Sequence, residues 1–292
     1  VQHPSKTREN TYKRKPFNKC RQAVNLPKPV CALRGISLLS KMVSVTSLSA
    51  VQHSQHQKDV LKMIKFYYHP SPNPLKVALF LEEAGMPYEV MPVDTRKGEQ
   101  HSPAFLKINP NAKTPAIVDT ECDATVFDSN AILLYLAEKS GQFLPANTLA
   151  ARGEMLSWLM FVATGIGPYS GQAVHFQHVA PDPKAYAVNR YTFEAERHFK
   201  ILDAQLASQR YMLGDTYTLV DMAVWGWARA LPRILGADIW ATLPNLRRHF
   251  DEINARPAAQ RAEALQAQFI FKTEMDEDAR KQLFPQNARL AK

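Results

Sequence analysis

The feature that most constrains this chain is a change of hydrophobic period at Pro145. From Met63 to Pro145, short runs rich in β-branched and aromatic residues alternate with helical stretches; beyond Pro145 only helical periods remain. "MIKFYY" has the composition of a strand, and Pro70, Pro72 and Pro74 fill the turn after it. Asn73 suits a helix N-cap, with Pro74 just inside the first turn. "LKVALFLEEAG" sets Leu75, Val77, Ala78, Leu81 and Ala84 largely to one side and stops at Gly85. "YEVMPVD" reads as a second strand. "SPAFLKINPNAKTPAIVD" reads as a helical turn, a loop and a strand Ala116 to Val118, with "ATVFD" as its hairpin partner. "DSNAILLYLAEKSG" is a helix capped by Asp128 or Ser129 and ended by Gly141. The order β-α-β-α-β-β-α within about 80 residues predicts a small mixed sheet covered by helices.

Beyond Pro145 helices are expected in "ARGEMLSWLMFVATG", "PKAYAVNRYTFEAERHFKILDAQLASQ", "LVDMAVWGWARALPRIL", "LPNLRRHFDEINARP" and "AAQRAEALQAQF". In "TLVDMAVW", Thr218 and Asp221 have capping-box spacing and should start a buried helix with Trp225 in or near the core. The fold class is therefore α/β plus all-α. The expected divisions are a basic extension at 1–62, an α/β domain at 63–145, an all-helical domain at 150–270 and a charged tail at 271–292 that drapes over the surface.

Charge enters because the total of +9 suggests nucleic acid until it is located. Residues 1–62 hold twelve Lys and Arg against Glu9 and Asp59; the other 230 residues carry 24 basic and 25 acidic side chains. The basic character belongs to the extension, so a nucleic-acid-binding core is not expected. The extension is polar and proline-bearing at first, then more apolar and Ser-rich. It reads as sequence upstream of the functional unit, with an acid-poor targeting leader as the alternative. Regular structure is not expected before residue 60. Cys20, Cys31 and Cys122 make neither a disulfide framework nor a metal-binding spacing, which points to a reducing, cytoplasmic setting and no metal. The most apolar short stretch, "GISLLSK", is bracketed by Arg34 and Lys41 and is too short to span a bilayer, so no membrane partner is expected.

The order of elements, with "NAKTPAIVD" and "FDSNAILLYLAE", resembles the cytosolic glutathione transferase superfamily over roughly residues 63 to 270. Within it, "PSPNPLKVALFLEEA", "KGEQHSPAFLKINPNAKTPAIVD" and "GPYSGQAVHFQHVAP" are most similar to the bacterial nu-class glutathione-dependent disulfide-bond oxidoreductases. The resemblance implies an N-terminal thioredoxin-like domain, a C-terminal helical bundle domain, a homodimer, and glutathione as bound co-substrate. It implies a cis Thr114–Pro115 bond that exposes the Thr114 backbone to a thiol peptide, with Lys113 beside it. Asp128 and Ser129 open a helix whose free N–H groups attract a carboxylate; Ser129 suits the carboxylate of the γ-glutamyl end and Asp128 its ammonium. Gln100 is implied at the glycyl end and Arg190 near the ligand, while His175 and His178 are candidates for a second-substrate cleft.

The turn that often carries a redox cysteine has Ser71 and Asn73 instead. A hydroxyl, an amide N–H and a helix N-terminus can each stabilise a thiolate that glutathione brings, so a redox site without its own thiol is chemically coherent. Ser71 stands where the nu-like pattern has Thr, and Pro74-Leu75 where it has a Gly-containing stretch, a change that could narrow the site. Three readings follow: glutathione-dependent disulfide reduction, conjugation of apolar electrophiles with Ser71 as activator, and non-catalytic binding of glutathione.

Overall fold

The computed structural model describes residues 63–182 and 184–291. The basic extension at 1–62, with Cys20 and Cys31, lies outside the described residues. Four strands form one mixed sheet in the order β2-β1-β3-β4: β1 (Ile64–Tyr68), β2 (Tyr88–Pro92), β3 (Ala116–Asp119) and β4 (Ala124–Phe127). β1 runs parallel to β2 and antiparallel to β3, and β3 antiparallel to β4. Phe66 stands opposite both Val90 and Ile117. Alternation places Ile64, Phe66 and Tyr68 in the core, while Lys65 and Tyr67 take the other face.

Helix α1 (Pro72–Ala84) starts earlier than its sequence suggests. Ser71, with φ −150°, is the N-cap, and Pro72, Asn73 and Pro74 form the first turn. The first N–H groups of a helix have no partner within it, so both prolines fit there without losing a hydrogen bond. The helix ends as expected at Gly85, which has φ 62°. Its burial is wider than the sequence pattern: every residue from Pro74 to Leu81 is buried. Helix α3 (Ser129–Ser140) packs against α1, and so do two helices of the helical half, α7 (Leu219–Ala228) and α10 (Pro257–Ala264). Arg261 donates to Glu82 at 2.6 Å, and Arg256 pairs with Glu83, across the last of these contacts. A short helix α2 (Pro103–Leu106) precedes β3.

The helical half begins with α4 (Leu149–Phe161), which passes through a π turn at Val162–Ile166 into α5 (Gly167–His178). The hydrophobic periods missed α5, because Gly165, Gly167, Pro168 and Gly171 interrupt its pattern. α6 (Ala185–Leu206), α8 (Leu231–Leu235) and α9 (Pro244–Asn254) complete this half, and α7 packs against α1, α3, α4, α9 and the π turn. The predicted capping box is present, and Trp225 is fully buried. Asp221 does more than cap: its buried carboxylate accepts hydrogen bonds from the Met212 N–H at 2.8 Å and the His249 ring at 2.9 Å.

The tail runs back over the α/β half. Phe271 packs against the rings of Tyr68 and His69, the Lys272 N–H donates to Asp94 at 2.7 Å, and a short helix α11 (Glu277–Leu283) follows. No helix among the described residues is long and apolar enough to cross a membrane. No group of three or more His, Cys, Asp or Glu among them is placed to hold a metal ion.

Candidate functional site

Two helix N-termini, those of α1 and α3, open into a cleft of about 530 Å³. The first turn of α1 contributes Asn73. Asp128 caps α3, accepting from the N–H groups of Asn130 at 2.9 Å and Ala131 at 3.2 Å. It does so with φ 72° and ψ 125°, a backbone region that costs a non-glycine residue on the order of 1–3 kcal/mol. The third side is the loop before β3. There the Asn109 side-chain NH2 donates to the Lys113 carbonyl at 2.6 Å and its oxygen accepts from the Asn111 N–H at 3.0 Å. That brace presents Thr114 and Pro115, joined by a cis peptide bond. The helical half closes the cleft with Trp227 and residues of the π turn.

At its floor is a buried polar chain. The Asn73 side-chain oxygen accepts from the Trp227 indole N–H at 3.0 Å and from the Ser129 hydroxyl at 3.3 Å. An indole nitrogen only donates, so the amide orientation is fixed: oxygen faces Trp227 and the NH2 group faces elsewhere. Lys76 continues the chain, donating to the Ser129 hydroxyl at 3.3 Å and to the Asn130 side-chain oxygen at 3.2 Å. Asn130 in turn donates to the Leu159 carbonyl at 3.0 Å. Lys76 is 1% exposed and has no ion pair among the described residues. Burial pushes its amine down to about 7, against the opposing, smaller influence of the Asp128 carboxylate.

Of the sequence candidates, the fold brings Asn73, Lys113, Thr114, Pro115, Asp128 and Ser129 together. Ser71, Gln100, Arg190, His175 and His178 do not line the cleft. Among the described residues the Ser71 hydroxyl reaches only the His69 carbonyl, at 3.5 Å. Gln100 is buried under the tail, its side-chain NH2 donating to the Gln282 carbonyl at 3.2 Å. Arg190 pairs with Glu194 at 2.8 Å along α6. His175 packs against Phe284 of the tail at 4.7 Å between ring centroids, and burial pushes its imidazole below the ordinary value. The His178 ring N–H donates to the Arg233 carbonyl at 3.0 Å. Sequence reasoning missed Lys76 and Trp227. For Lys76 a signal existed: a single cation within the apolar run "PLKVALFL".

A mixed four-stranded sheet with a cis-proline loop at the cleft, backed by an all-helical half, is the glutathione transferase fold, and the chain belongs to that family. Residues 61–138 match the model of the glutathione S-transferase N-terminal domain, and residues 185–252 that of its C-terminal domain. The chain is 42% identical over 205 residues to disulfide-bond oxidoreductase YfcG of Escherichia coli K12, covering 68% of this chain and 94% of that protein. It is 38% identical over 214 residues to disulfide-bond oxidoreductase YghU of the same organism, covering 68% of this chain and 73% of that one. A crystal structure of a glutathione transferase family member from Pseudomonas fluorescens Pf-5, with two glutathione molecules bound, matches at a TM-score of 0.65 and 38% identity. It covers 69% of this chain and 92% of that one.

Proposed function

We propose that the chain is a glutathione-dependent disulfide-bond oxidoreductase in which glutathione supplies the thiol. The observation that carries this reading is the orientation of Asn73. With its side-chain oxygen held by Trp227 and Ser129, its NH2 group remains a donor, and its backbone N–H belongs to the unpaired first turn of α1. Both suit a sulfur anion, and a free thiol near pKa ~8.5 needs such help to ionise at neutral pH. Ser129 and the start of α3 receive the γ-glutamyl carboxylate, Asp128 the ammonium, and the Thr114 backbone the middle of the peptide. The bound thiolate attacks one sulfur of the substrate disulfide and displaces the other as a thiolate. A second glutathione thiolate then attacks the mixed disulfide, giving glutathione disulfide and releasing the second substrate thiol. The protein orients and stabilises; no protein cysteine is consumed.

Two further points support the reading. Pro74 and Leu75, which the sequence suggested could narrow the site, are buried in the core and do not line the cleft. The similarity to two disulfide-bond oxidoreductases, and to a structure with two glutathiones bound, agrees with a two-glutathione reaction.

The test is steady-state reduction of bis(2-hydroxyethyl) disulfide by glutathione with the full chain. Turnover is expected, falling about 10²-fold in Asn73→Ala, the cost of losing one charge-stabilising donor, and persisting when Cys20, Cys31 and Cys122 are all replaced by Ser. Glutathione binding without disulfide turnover defeats the reading. Conjugation of an aryl halide would then be the activity to measure.

A further inference from the structure

Lys76 is a cation that the thiol chemistry does not use. Its side chain is almost wholly buried, it borders the cleft, and among the described residues its amine touches only two neutral oxygens, those of Ser129 and Asn130. An isolated buried ammonium is costly, and such groups tend to shed the proton unless an anion arrives. The other charged side chains lining the cleft are Asp128, which caps α3 and acts on the Lys76 amine, and Lys113, from the loop before β3. α7 meets it with Gly226 and Trp227, and the π turn brings Val162 and Ala163, none of them charged. The path of the Lys76 chain is built in. A Cβ on Gly226 would lie 2.6 Å from Lys76 Cγ, so the glycine leaves the space the lysine occupies.

We propose that Lys76 is a positioning residue that takes up a proton when a carboxylate is seated at Ser129 and the N-terminus of α3, coupling peptide binding to protonation of this one amine. The ligand assignment rests on the glutathione reading above. Charged, Lys76 holds the Ser129 hydroxyl from behind, and Ser129 holds the Asn73 amide oxygen, so the anchor for the carboxylate and the donor for the sulfur are set by the same protonation. Neutral, the amine has no counter-charge to seek, and the empty cleft avoids the cost of an unpaired buried ion.

The experiment is calorimetry on the full chain with S-methylglutathione, whose sulfur cannot ionise, in two buffers of different ionisation enthalpy at pH 8. Binding should take up close to one proton, and the association constant should fall roughly tenfold per pH unit above about 7.5, as linkage requires when the free amine has lost its proton and the bound one has not. Lys76→Met, which keeps the chain length without the charge, should bind more weakly at pH 7, with no proton uptake and a flat profile. Binding of wild type without proton uptake, or undiminished uptake in Lys76→Met, overturns the proposal. With glutathione itself the net uptake should be smaller than with S-methylglutathione, because ionisation of its thiol on binding releases a proton. No binding of either peptide overturns the glutathione reading and this proposal together. Should Lys76→Met not fold, carbon-13 titration of the wild-type lysines decides: a midpoint near 7 that rises on adding S-methylglutathione is expected, and lysines all titrating at roughly 10, the ordinary value, refute it.

Discussion

Gly226 lies where α1 and α7 come closest. A methyl group there would sit 2.6 Å from Lys76 Cγ and 2.7 Å from the Pro72 carbonyl oxygen. The lysine chain can bend away, but the Pro72 carbonyl is backbone in the first turn of α1 and moves only with Asn73. Replacing glycine by alanine within a helix ordinarily gains about 1 kcal/mol. Here overpacking should reverse the sign, with Gly226→Ala losing roughly 1–3 kcal/mol. Urea unfolding of the variant against wild type measures this, and an unchanged or higher midpoint would show that the two helices part without cost. Asp221 presents the same lesson in another form. Its capping of α7 follows from residue spacing, whereas its bonds to Met212 and His249 depend on segments that only folding brings near.

Among the elements, the tail is the one whose hold on the molecule depends on pH. Phe271 packs on His69 and Phe284 on His175. Both imidazoles are held below the ordinary value, by burial first in each case; for His69 the Arg96 charge adds to it, while Asp94, Glu99 and the Val93 carbonyl oppose it. A group whose folded value is depressed binds fewer protons folded than released, so protonation favours release as pH falls below about 6.5. Amide protection across residues 271–284, corrected for intrinsic exchange, should therefore drop between pH 7.5 and 5.5. The drop should be smaller in His175→Phe. Protection that stays constant over that range would show that neither histidine governs the contact. α1 is the other instructive element, because its run of apolar residues looks one-sided until α7 and α10 of the helical half pack on it and every residue from Pro74 to Leu81 is buried.

At the scale of the whole molecule, Lys76 sets a stability profile. Its amine falls from 10.5 to about 7 on folding. Between those values the unfolded chain holds a proton that the folded chain has released, so folding stability rises with pH by about 1.4 kcal/mol per unit. The penalty is at its full size below pH 7 and disappears toward 10.5. The stability of Lys76→Met relative to wild type should thus be greatest near pH 7 and decline toward pH 9.5, as read from denaturant midpoints. Parallel profiles for the two proteins would mean that the buried amine keeps its proton. The cleft accommodates this cost because its floor joins both halves of the fold: Lys76 and Asn73 from α1, Ser129 and Asn130 from α3, and Trp227 from α7.

The strands and helices of the α/β half, the helical character beyond Pro145, the α7 capping box and the pairing of "NAKTPAIVD" with "FDSNAILLYLAE" were all legible from the sequence. Each depends on neighbours within a few positions or on a local period. The six cleft residues found this way lie on those same local motifs. The tertiary structure alone decided that α5 is a helix, that Ser71 and not Asn73 caps α1, and that the tail covers Gln100. It alone set the orientation of Asn73 and left Lys76 without a counter-ion among the described residues. Those outcomes depend on contacts such as that of Trp227 with Asn73, 154 positions apart, where the partner of a polar atom is chosen by which segments the packed core brings within about 3 Å, a distance that local spacing cannot encode.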